Sequence, residues 1–381
     1  MKPELITFAG SVDGIHTAIQ AGATHIILDD PAISCRSYQD PDPRRLDTLD
    51  QLLHATKQYP GYQFSVNCDK LFHTHEFALL DQVIARILDS PVRWMRVQDI
   101  GAMAYIAEHE PAIRIILNTE MGNTNAQSMA AFAQTAHRQV LGNELPVSAI
   151  KAIQKAVDTQ YELMVHGPIL LQYSYRRYLG SLMETERVIQ GSIDDTDYPG
   201  RHFPVLDNPH GHFMFFYMDR CLLGYSSVVL GLNLSGWIVD GRGQSDAYLT
   251  TALSAYRHCL DSHSTGDIAP IQAVSPRPLK PMFFLVNNTE QERESARDGT
   301  VLGTVIDVIK GDCIHVSLCE PFRGFQDPPR LGLPQHDRYQ PYASTPPVHT
   351  LTGEPCTTAE PGDIIQLPWI KGASPKAVLV V

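Results

Sequence analysis

Titratable side chains stand directly after two apolar runs of this sequence, at positions suited to acid–base chemistry. His166 ends the run 161–166 and could act as a general acid or base, because histidine titrates near neutral pH. Glu144 is the second catalytic candidate. For His166 there is also a structural alternative, in which it is a strand-end side chain that hydrogen-bonds its neighbours.

Polar residues that could bind a ligand follow other apolar runs. Arg242 and Asp240 could clamp an anion, since a guanidinium group contacts a carboxylate or phosphate through two parallel bonds. A turn salt bridge between these two residues is the alternative. Asn118 follows a further run, and Arg176 lies in a stretch rich in arginine and tyrosine. The sequence therefore predicts a small anionic ligand bound by Asn118, Arg176, Asp240 and Arg242.

Signatures of several other enzyme classes are absent from the sequence. It holds no G-x-x-x-x-G-K-[ST], G-x-G-x-x-G or G-x-S-x-G motif, which removes the usual signals of nucleotide binding and serine hydrolysis. Cys221 has no identifiable histidine and asparagine partners of a cysteine protease. The His-x-His pairs at 73–75 and 210–212 lack an acidic ligand at a defined spacing, so no metal site is predicted.

The elements that position these residues alternate between short apolar runs and amphipathic helical stretches. Such alternation is typical of parallel βα units. The predicted strands are 5–9, 25–28, 62–67, 93–98, 113–118, 138–141, 161–166 and 236–240. Eight strands, each followed by a helix, predict a TIM-like (β/α)8 barrel over residues 1–262. The polar residues would gather at its functional face, the carboxyl ends of the strands.

Two segments lie outside this eightfold pattern. The long insertion 168–235 separates strands seven and eight and is rich in arginine and aromatic residues, which predicts a roof over the mouth of the barrel. Residues 263–281 have the composition of a linker, and 282–381 predict a small C-terminal all-β, barrel-like domain. Its expected strands are 282–286, 301–309, 313–318, 363–367 and 377–381, with a proline-rich loop at 320–347.

Composition narrows the functional class and the compartment. The formal net charge of −12 disfavours a broad nucleic-acid surface, although a local RNA contact stays possible. No apolar run is long enough to span a membrane, and the chain start has no signal-peptide pattern. The seven cysteines are scattered and form no C-x-x-C pair, as in cytoplasmic proteins without disulfides. A cytoplasmic protein without membrane contact is the expectation.

Short motifs run in order along the predicted barrel. They are Phe8-Ala9-Gly10-Ser11, Val97-Gln98-Asp99-Ile100-Gly101, Asn143-Glu144-Leu145, Glu162-Leu163-Met164-Val165-His166-Gly167, Asp219-Arg220-Cys221-Leu222 and Val239-Asp240-Gly241-Arg242. This series resembles the collagenase-like peptidase family. That family also includes proteins that hydroxylate tRNA uridine, ribosomal RNA cytidine and the ubiquinone ring without oxygen.

The chain departs from this family at the positions of its iron–sulfur ligands. The resemblance implies cysteines three residues after the His-Gly pair and seven residues later, where this sequence has Leu170 and Arg177. Of the four cluster cysteines, only Cys221 has a counterpart. Because a four-iron four-sulfur cluster needs four thiolates, the cluster is predicted to be absent, and no cofactor is expected.

Three functions remain open from the sequence. In the first, the chain is a cluster-less subunit or substrate-binding partner of a cluster-bearing paralogue, in a hetero-oligomer that hydroxylates tRNA, other RNA or a quinone-type ring. In the second, it is a peptidase acting on peptides or collagen-like substrates. In the third, it is a pseudoenzyme that binds a small molecule. Whether the chain is itself an enzyme is left open.

Overall fold

The apolar runs of the first unit form a closed ring of parallel strands in the computed structural model. Each strand pairs with the next, and the last pairs with both the first and the seventh, which closes the barrel. The ring consists of β1 (Glu4–Ala9), β2 (His25–Leu28), β3 (Gln63–Cys68), β4 (Trp94–Val97), β5 (Arg114–Leu117), β6 (Arg138–Val140), β7 (Gln160–Ser174) and β11 (Gly236–Val239). The predicted (β/α)8 barrel is confirmed, with strand boundaries that shift by at most one residue except in β7.

The structure describes residues 2–37, 46–120, 122–196, 200–285, 300–333 and 338–381. Two units divide the chain, Met1–Leu285 and Val286–Val381. The segment expected to be a linker, 263–281, holds α10 (Ala269–Val274) and β12 (Leu279–Lys280) of the first unit. Its composition suits turns, but Ile271 and Leu279 are buried in the core of that unit, which holds the segment in place.

Helices surround the barrel, and side chains cap the start of several of them. Ser11, Asn125 and Ser245 each accept a hydrogen bond from the backbone N–H three residues further on. Thr48 forms a capping box with Gln51. The helices are α1 (Val12–Gln20), α2 (Leu49–Thr56), α3 (Phe77–Leu88), α4 (Ile100–His109), α5 (Ala126–Phe132), α6 (Val147–Ala156) and α9 (Asp246–Ser262).

The inside of the barrel contains an apolar cluster. Strand residues alternate between the interior and the helix layer, and the inward set is Ile6, Phe8, Ile27, Trp94, Ile116, Val140, Met164 and Ile238. Ile169 and Phe216 from the insertion, with Met282, pack against the same cluster. These three side chains therefore lie over the carboxyl-end mouth.

A chain of buried ion pairs also lies inside the barrel. Glu162 accepts hydrogen bonds from Arg96 and Arg138, and Arg138 also binds Glu4, which contacts His25. Burial raises the pKa of Glu4, but hydrogen bonds from His25 and Arg138 outweigh this and lower it to about 2. Glu162, near the start of β7, is thus paired with two cations inside the barrel.

The insertion is mainly β-sheet rather than loop. Strand β7 continues past His166 to Ser174, and its second half pairs antiparallel with β10 (Gly211–Cys221). Strands β9 (His202–Asn208) and β8 (Ile189–Asp194) extend this sheet. Two short helices, α7 (Tyr178–Leu182) and α8 (Ser226–Leu230), complete the insertion, and β12 pairs with β10.

The second unit is all-β, as predicted, and its strands form one antiparallel sheet. Its strands are β13 (Val301–Ile309), β14 (Cys313–Leu318), β15 (Arg330–Leu333), β16 (Arg338–Pro341), β17 (Ile364–Pro368) and β18 (Val378–Val380), in the order β16-β15-β18-β13-β14-β17. The expected loop 320–347 contains β15 and β16, because Leu331 packs into the core of this unit. The expected strand 282–286 was wrong: Met282–Phe284 is a short 3₁₀ helix of the first unit, and residue 286 lies outside the described residues.

Nowhere in the described ranges is a helix both long and apolar enough to cross a membrane.

Candidate functional site

A buried carboxylate, Asp240, lies at the centre of the barrel mouth. It directly follows β11 and is 1% exposed. Its oxygens accept hydrogen bonds from Arg242 Nε and Nη2 at 3.0 and 2.8 Å, and from Arg36 Nη2 at 3.0 Å. Burial alone would raise the pKa of Asp240, but the two guanidinium groups outweigh it and hold the pKa at about 2. Asp240 is thus a permanent anion that fixes two arginines.

Arg242 is surrounded by acceptors and by one aromatic ring. Besides its paired bonds to Asp240, its Nη1 lies 3.7 Å from carboxylate oxygens of both Asp29 and Asp69. Its guanidinium carbon sits 3.6 Å from the centroid of the Phe8 ring, a close cation–π contact. These contacts match the salt-bridge alternative for Arg242, and they leave only Nη1 without a hydrogen bond in the described part of the chain.

Two further carboxylates share one amide beside Arg242. Asn67 Nδ2 donates to Asp29 at 2.8 Å and to Asp69 at 3.2 Å. Burial raises the pKa of Asp29 to about 6, with the nearby charge of Asp69 adding to the effect against the pull of Arg242. Asp29 therefore changes its charge close to neutral pH, which suits a group that exchanges a proton with a ligand.

The glycine of the His-Gly motif allows this arrangement. Gly167 has a φ of +133°, and a Cβ built there would lie 2.6 Å from the backbone oxygen of Asp240. Only glycine adopts this conformation and leaves that space free. Gly167 thus lets β7 pass close to the end of β11, where Asp240 stands.

A small cavity at the mouth, with a volume of about 20 Å³, has room for about one water molecule and lies between these charged groups and apolar side chains. Its lining includes Asn118, Asn143, Asp240, Arg242 and Arg96. Arg96 is 1% exposed and gives Nη2 to Glu162, while its Nε and Nη1 find no acceptor among the residues that the structure describes. Buried N–H groups of a cation are normally paired, so these donors are suited to an oxygen atom of a bound water or ligand.

Three of the predicted site residues meet at this cavity, and three do not. Asn118, Asp240 and Arg242 line it together. Glu144 is exposed, and its neighbour Asn143 takes the inward position. Arg176 is exposed just beyond the end of β7.

His166 faces away from the mouth, which corrects the position expected for it. The ring is fully buried, and its Nε2 lies 2.6 Å from the hydroxyl of Tyr248 on α9. The register between β7 and β11 shifts between Ile238 and Val239, so one extra residue turns His166 towards the helix layer. Burial lowers the pKa of His166 to about 4, so the imidazole is neutral.

Sequence reasoning missed Arg96 as a cavity residue. It stands in the middle of a buried strand, and no turn or motif marks it. The available signal was an arginine within the apolar run 93–98, since a charge inside a strand of a parallel barrel needs a buried partner.

Two positions that correspond to the family's cluster cysteines carry a packed leucine and an ion-paired arginine. Leu170 is buried beside Leu206 and Phe215. Arg177 Nε donates to Asp207 at 2.9 Å. A leucine and a paired arginine cannot ligate iron, so these residues do not fit a four-thiolate cluster. In the described ranges, no group of three or more histidine, cysteine or acidic residues could hold a metal ion.

Comparisons with known proteins agree with these motifs. The model for peptidase family U32 matches residues 10–294. The tRNA hydroxylation protein P2 of Bacillus subtilis is 22% identical over 271 residues, which cover 68% of this chain and 86% of that protein. The tRNA hydroxylation protein P1 of the same species is 21% identical over 69% of this chain and 64% of its own length. A protein named collagenase from Porphyromonas gingivalis is 17% identical over 69% of this chain and 66% of its own.

Proposed function

The chain belongs to peptidase family U32, and within that family we propose that it is a ligand-binding subunit without an iron–sulfur cluster. It would work in the cytoplasm with a cluster-bearing paralogue in the oxygen-independent hydroxylation of RNA. The RNA substrate class comes from the similarity to tRNA hydroxylation proteins. The proposal that this chain binds the ligand while the paralogue carries the cluster rests on the residues of the site.

The observation that carries the proposal is the contrast between two neighbouring parts of the barrel top. The cavity keeps buried donors, on Arg96 and Arg242, that suit a polar ligand. The positions for thiolates instead hold Leu170, packed in an apolar cluster, and Arg177, paired with Asp207. A barrel of this kind can bind a ligand, while electron transfer would be the task of the partner chain.

The net charge of the chain also supports the proposal that it works with a partner. With a formal net charge of −12, the chain is poorly suited to a broad contact with RNA phosphates. A paralogue that supplies the cluster would also supply most of the RNA contact. The anionic ligand in the mouth would enter the reaction at the shared site.

Peptide hydrolysis is less well supported by the geometry. Burial raises the pKa of Cys221, and its thiol lies 3.7 Å from the Tyr256 hydroxyl. A thiol in this setting stays protonated and is a poor nucleophile. The neutral His166 contacts Tyr248 and is turned away from the cavity.

The test is deletion of the gene followed by mass spectrometry of the nucleosides of total RNA. We expect a hydroxylated pyrimidine nucleoside to disappear and to return with the wild-type gene, but not with Arg96→Ala. Arg86→Ala, an arginine on the surface of α3 with a weak contact to Asp50, is the matched control and should restore it. Tagged protein should also co-purify with a cysteine-complete family member and, prepared alone without oxygen, should carry no stoichiometric iron. Unchanged nucleosides in the deletion strain, or about four irons per chain, would contradict the proposal.

A further inference from the structure

A cysteine, a histidine and an aspartate lie in a row on one face of the second unit. Cys313 Sγ is 4.0 Å from His315 Nε2, and His315 Nδ1 is 3.4 Å from Asp307 Oδ2. The imidazole therefore has the thiol at one ring nitrogen and the carboxylate at the other. This is the order of a nucleophile, its base and the group that orients the base. Separations of this length are common where no ligand is bound, and they shorten in the complex.

The pairing of β13 with β14 produces this row. Asp307 is the cross-strand partner of His315, and Cys313 stands two residues before His315 on the same strand. Because strand side chains alternate, Cys313 and His315 share one face of the sheet, while Ile314 and Val316 belong to the core cluster on the other face. The sheet thus holds the base between its two partners.

The thiol lies on the solvent-facing side of this sheet, although Cys313 is only 4% exposed. Its cross-strand neighbour Ile309 is 46% exposed, and the Asp307 side chain is 64% exposed. Residues 310–312, which precede Cys313, are exposed as well. Cys313 is therefore shielded by surface side chains, which change rotamer within nanoseconds, and not by the core. A small molecule can reach the sulfur.

Cys313 is the one cysteine with a histidine nitrogen in hydrogen-bond range among the described residues. Cys319 Sγ contacts the backbone oxygen of Val301 at 3.3 Å, and Cys356 Sγ contacts that of Thr358 at 3.4 Å. A backbone oxygen does not take the proton of a thiol, and only the thiolate is a nucleophile. The surroundings therefore favour reaction at Cys313, although Cys319 is the more exposed of the two.

We propose that Cys313 is a nucleophilic thiol that exchanges with small disulfides, with His315 as its base and Asp307 as the residue that positions His315. Exchange with a disulfide needs only a thiolate and access, so this row is sufficient for it. Asp307 and Asp312 beside the thiol favour a cationic disulfide over an anionic one. The proposal concerns the second unit and goes beyond the function proposed for the barrel.

The step balances in atoms and electrons. The proton of the Cys313 thiol passes to His315 Nε2, and Sγ attacks one sulfur of the disulfide. A new S–S bond joins Cys313 to that half of the reagent, while the original S–S bond breaks. The other half leaves as a thiolate and takes the proton from His315. Cys313 is thereby oxidised to a mixed disulfide, and one half of the reagent is reduced to a thiol.

The experiment treats the full chain with cystamine, a small cationic disulfide, at pH 7, and blocks the remaining thiols with N-ethylmaleimide before digestion. Cys313 and Cys319 lie in one tryptic fragment, residues 311–323, so fragment-ion mass spectrometry compares them in the same spectrum. We expect Cys313 to form the mixed disulfide at least about 10-fold faster than Cys319, because only Cys313 has a base. Exposure alone predicts the opposite order. A rate at Cys319 equal to or above that at Cys313 would overturn the proposal.

Variants separate a base from a packing residue. His315→Gln should lower the rate at Cys313 at least about 10-fold and leave Cys319 unchanged, since an amide is not a base. Asp307→Asn should lower the rate less, and Asp307→Glu should restore part of it. His54→Gln, at an exposed histidine of α2, should match wild type.

An unchanged rate at Cys313 in His315→Gln would also refute the role of the base. Unfolding of the sheet would instead raise the rates at both Cys313 and Cys319, and the comparison in the wild-type chain then decides alone. Neither RNA nor iron takes part, so these results are independent of the nucleoside test of the proposed function.

Discussion

Replacing Arg242 with alanine removes the side chain that links the three carboxylates of the mouth. Asp240 would lose the paired bonds from Nε and Nη2 and keep those from Arg36 and from the backbone N–H of residue 242. Asp29 and Asp69 would lose the cation that lies 3.7 Å from each of them. The variant therefore leaves three buried carboxylates with one guanidinium group fewer.

The size of the effect follows from these contacts. Two charge-assisted hydrogen bonds are worth about 3–6 kcal/mol together, and the stacking on Phe8 about 1–2 kcal/mol more. The bonds that Asp240 retains offset part of this loss. We expect Arg242→Ala to lower the free energy of unfolding by about 3–5 kcal/mol at pH 7, as for other broken buried ion pairs.

The pH dependence gives a second check. The pKa of Asp240 is lowered from 3.8 to about 2, so its ionisation adds about 2.4 kcal/mol of stability, present above pH 4 and lost as the pH falls through 2. Without Arg242 this pKa rises and the contribution shrinks. The difference between wild type and variant should thus be largest near neutral pH and smaller at pH 3.

Urea denaturation at pH 7 and pH 3 measures both effects, with Arg86→Ala as the surface control. Arg86→Ala should change the free energy of unfolding by less than about 0.5 kcal/mol, because exposed ion pairs contribute little. A loss below about 1 kcal/mol for Arg242→Ala at pH 7, or a difference that grows in acid, would refute this account of the network.

Three other substitutions test separate parts of the barrel. The pKa of Asp29 is raised from 3.8 to about 6, so its stabilising contribution is complete below pH 4 and is lost as the pH rises through 6. The free energy of unfolding of Asp29→Asn should therefore exceed that of wild type by up to about 3 kcal/mol at pH 8 and equal it near pH 4. Urea titrations at both pH values measure this difference. Glu162→Gln leaves Arg96 without its carboxylate and should cost about 3–5 kcal/mol by chemical denaturation, and a neutral result would show that the pair adds no stability. Gly167→Ala should cost at least about 3 kcal/mol in the same assay, because the new methyl group meets the Asp240 backbone at a positive φ; wild-type stability would show that β7 can move there.

The barrel could be predicted because its signals are local. Each strand is a short apolar run that ends in polar residues, and helical periodicity fills the intervals, so element type and order follow from neighbouring residues. The continuation of β7 to Ser174 could not be predicted in this way. Residues 167–174 pair with β10, about 40 to 50 residues further along the chain, and the glycine at 167 is typical of a strand end.

The candidate site was only half predictable for a related reason. Asn118, Asp240 and Arg242 follow strand ends, where the fold rule places functional groups. Whether His166 faces the mouth depends on a one-residue register shift against β11, which strand alternation in the sequence does not reveal. Arg96 lies within a strand, and its place in the site appears only when the pairing of each of its N–H groups is known.

Which buried polar groups have hydrogen-bond partners also bears on whether this chain binds a ligand or has lost that function. A barrel without a ligand is more stable at neutral pH with a neutral residue at position 29, since burial raises the pKa of the Asp29 carboxyl to about 6. Asp29 lies beside Arg242, which lines the same cavity as the free N–H groups of Arg96. The positions of the missing thiolates show the opposite pattern, because Leu170 and Arg177 satisfy their surroundings. Unsatisfied polar groups therefore mark the part of the barrel where the proposed ligand would bind, and the positions of the missing thiolates carry no such groups.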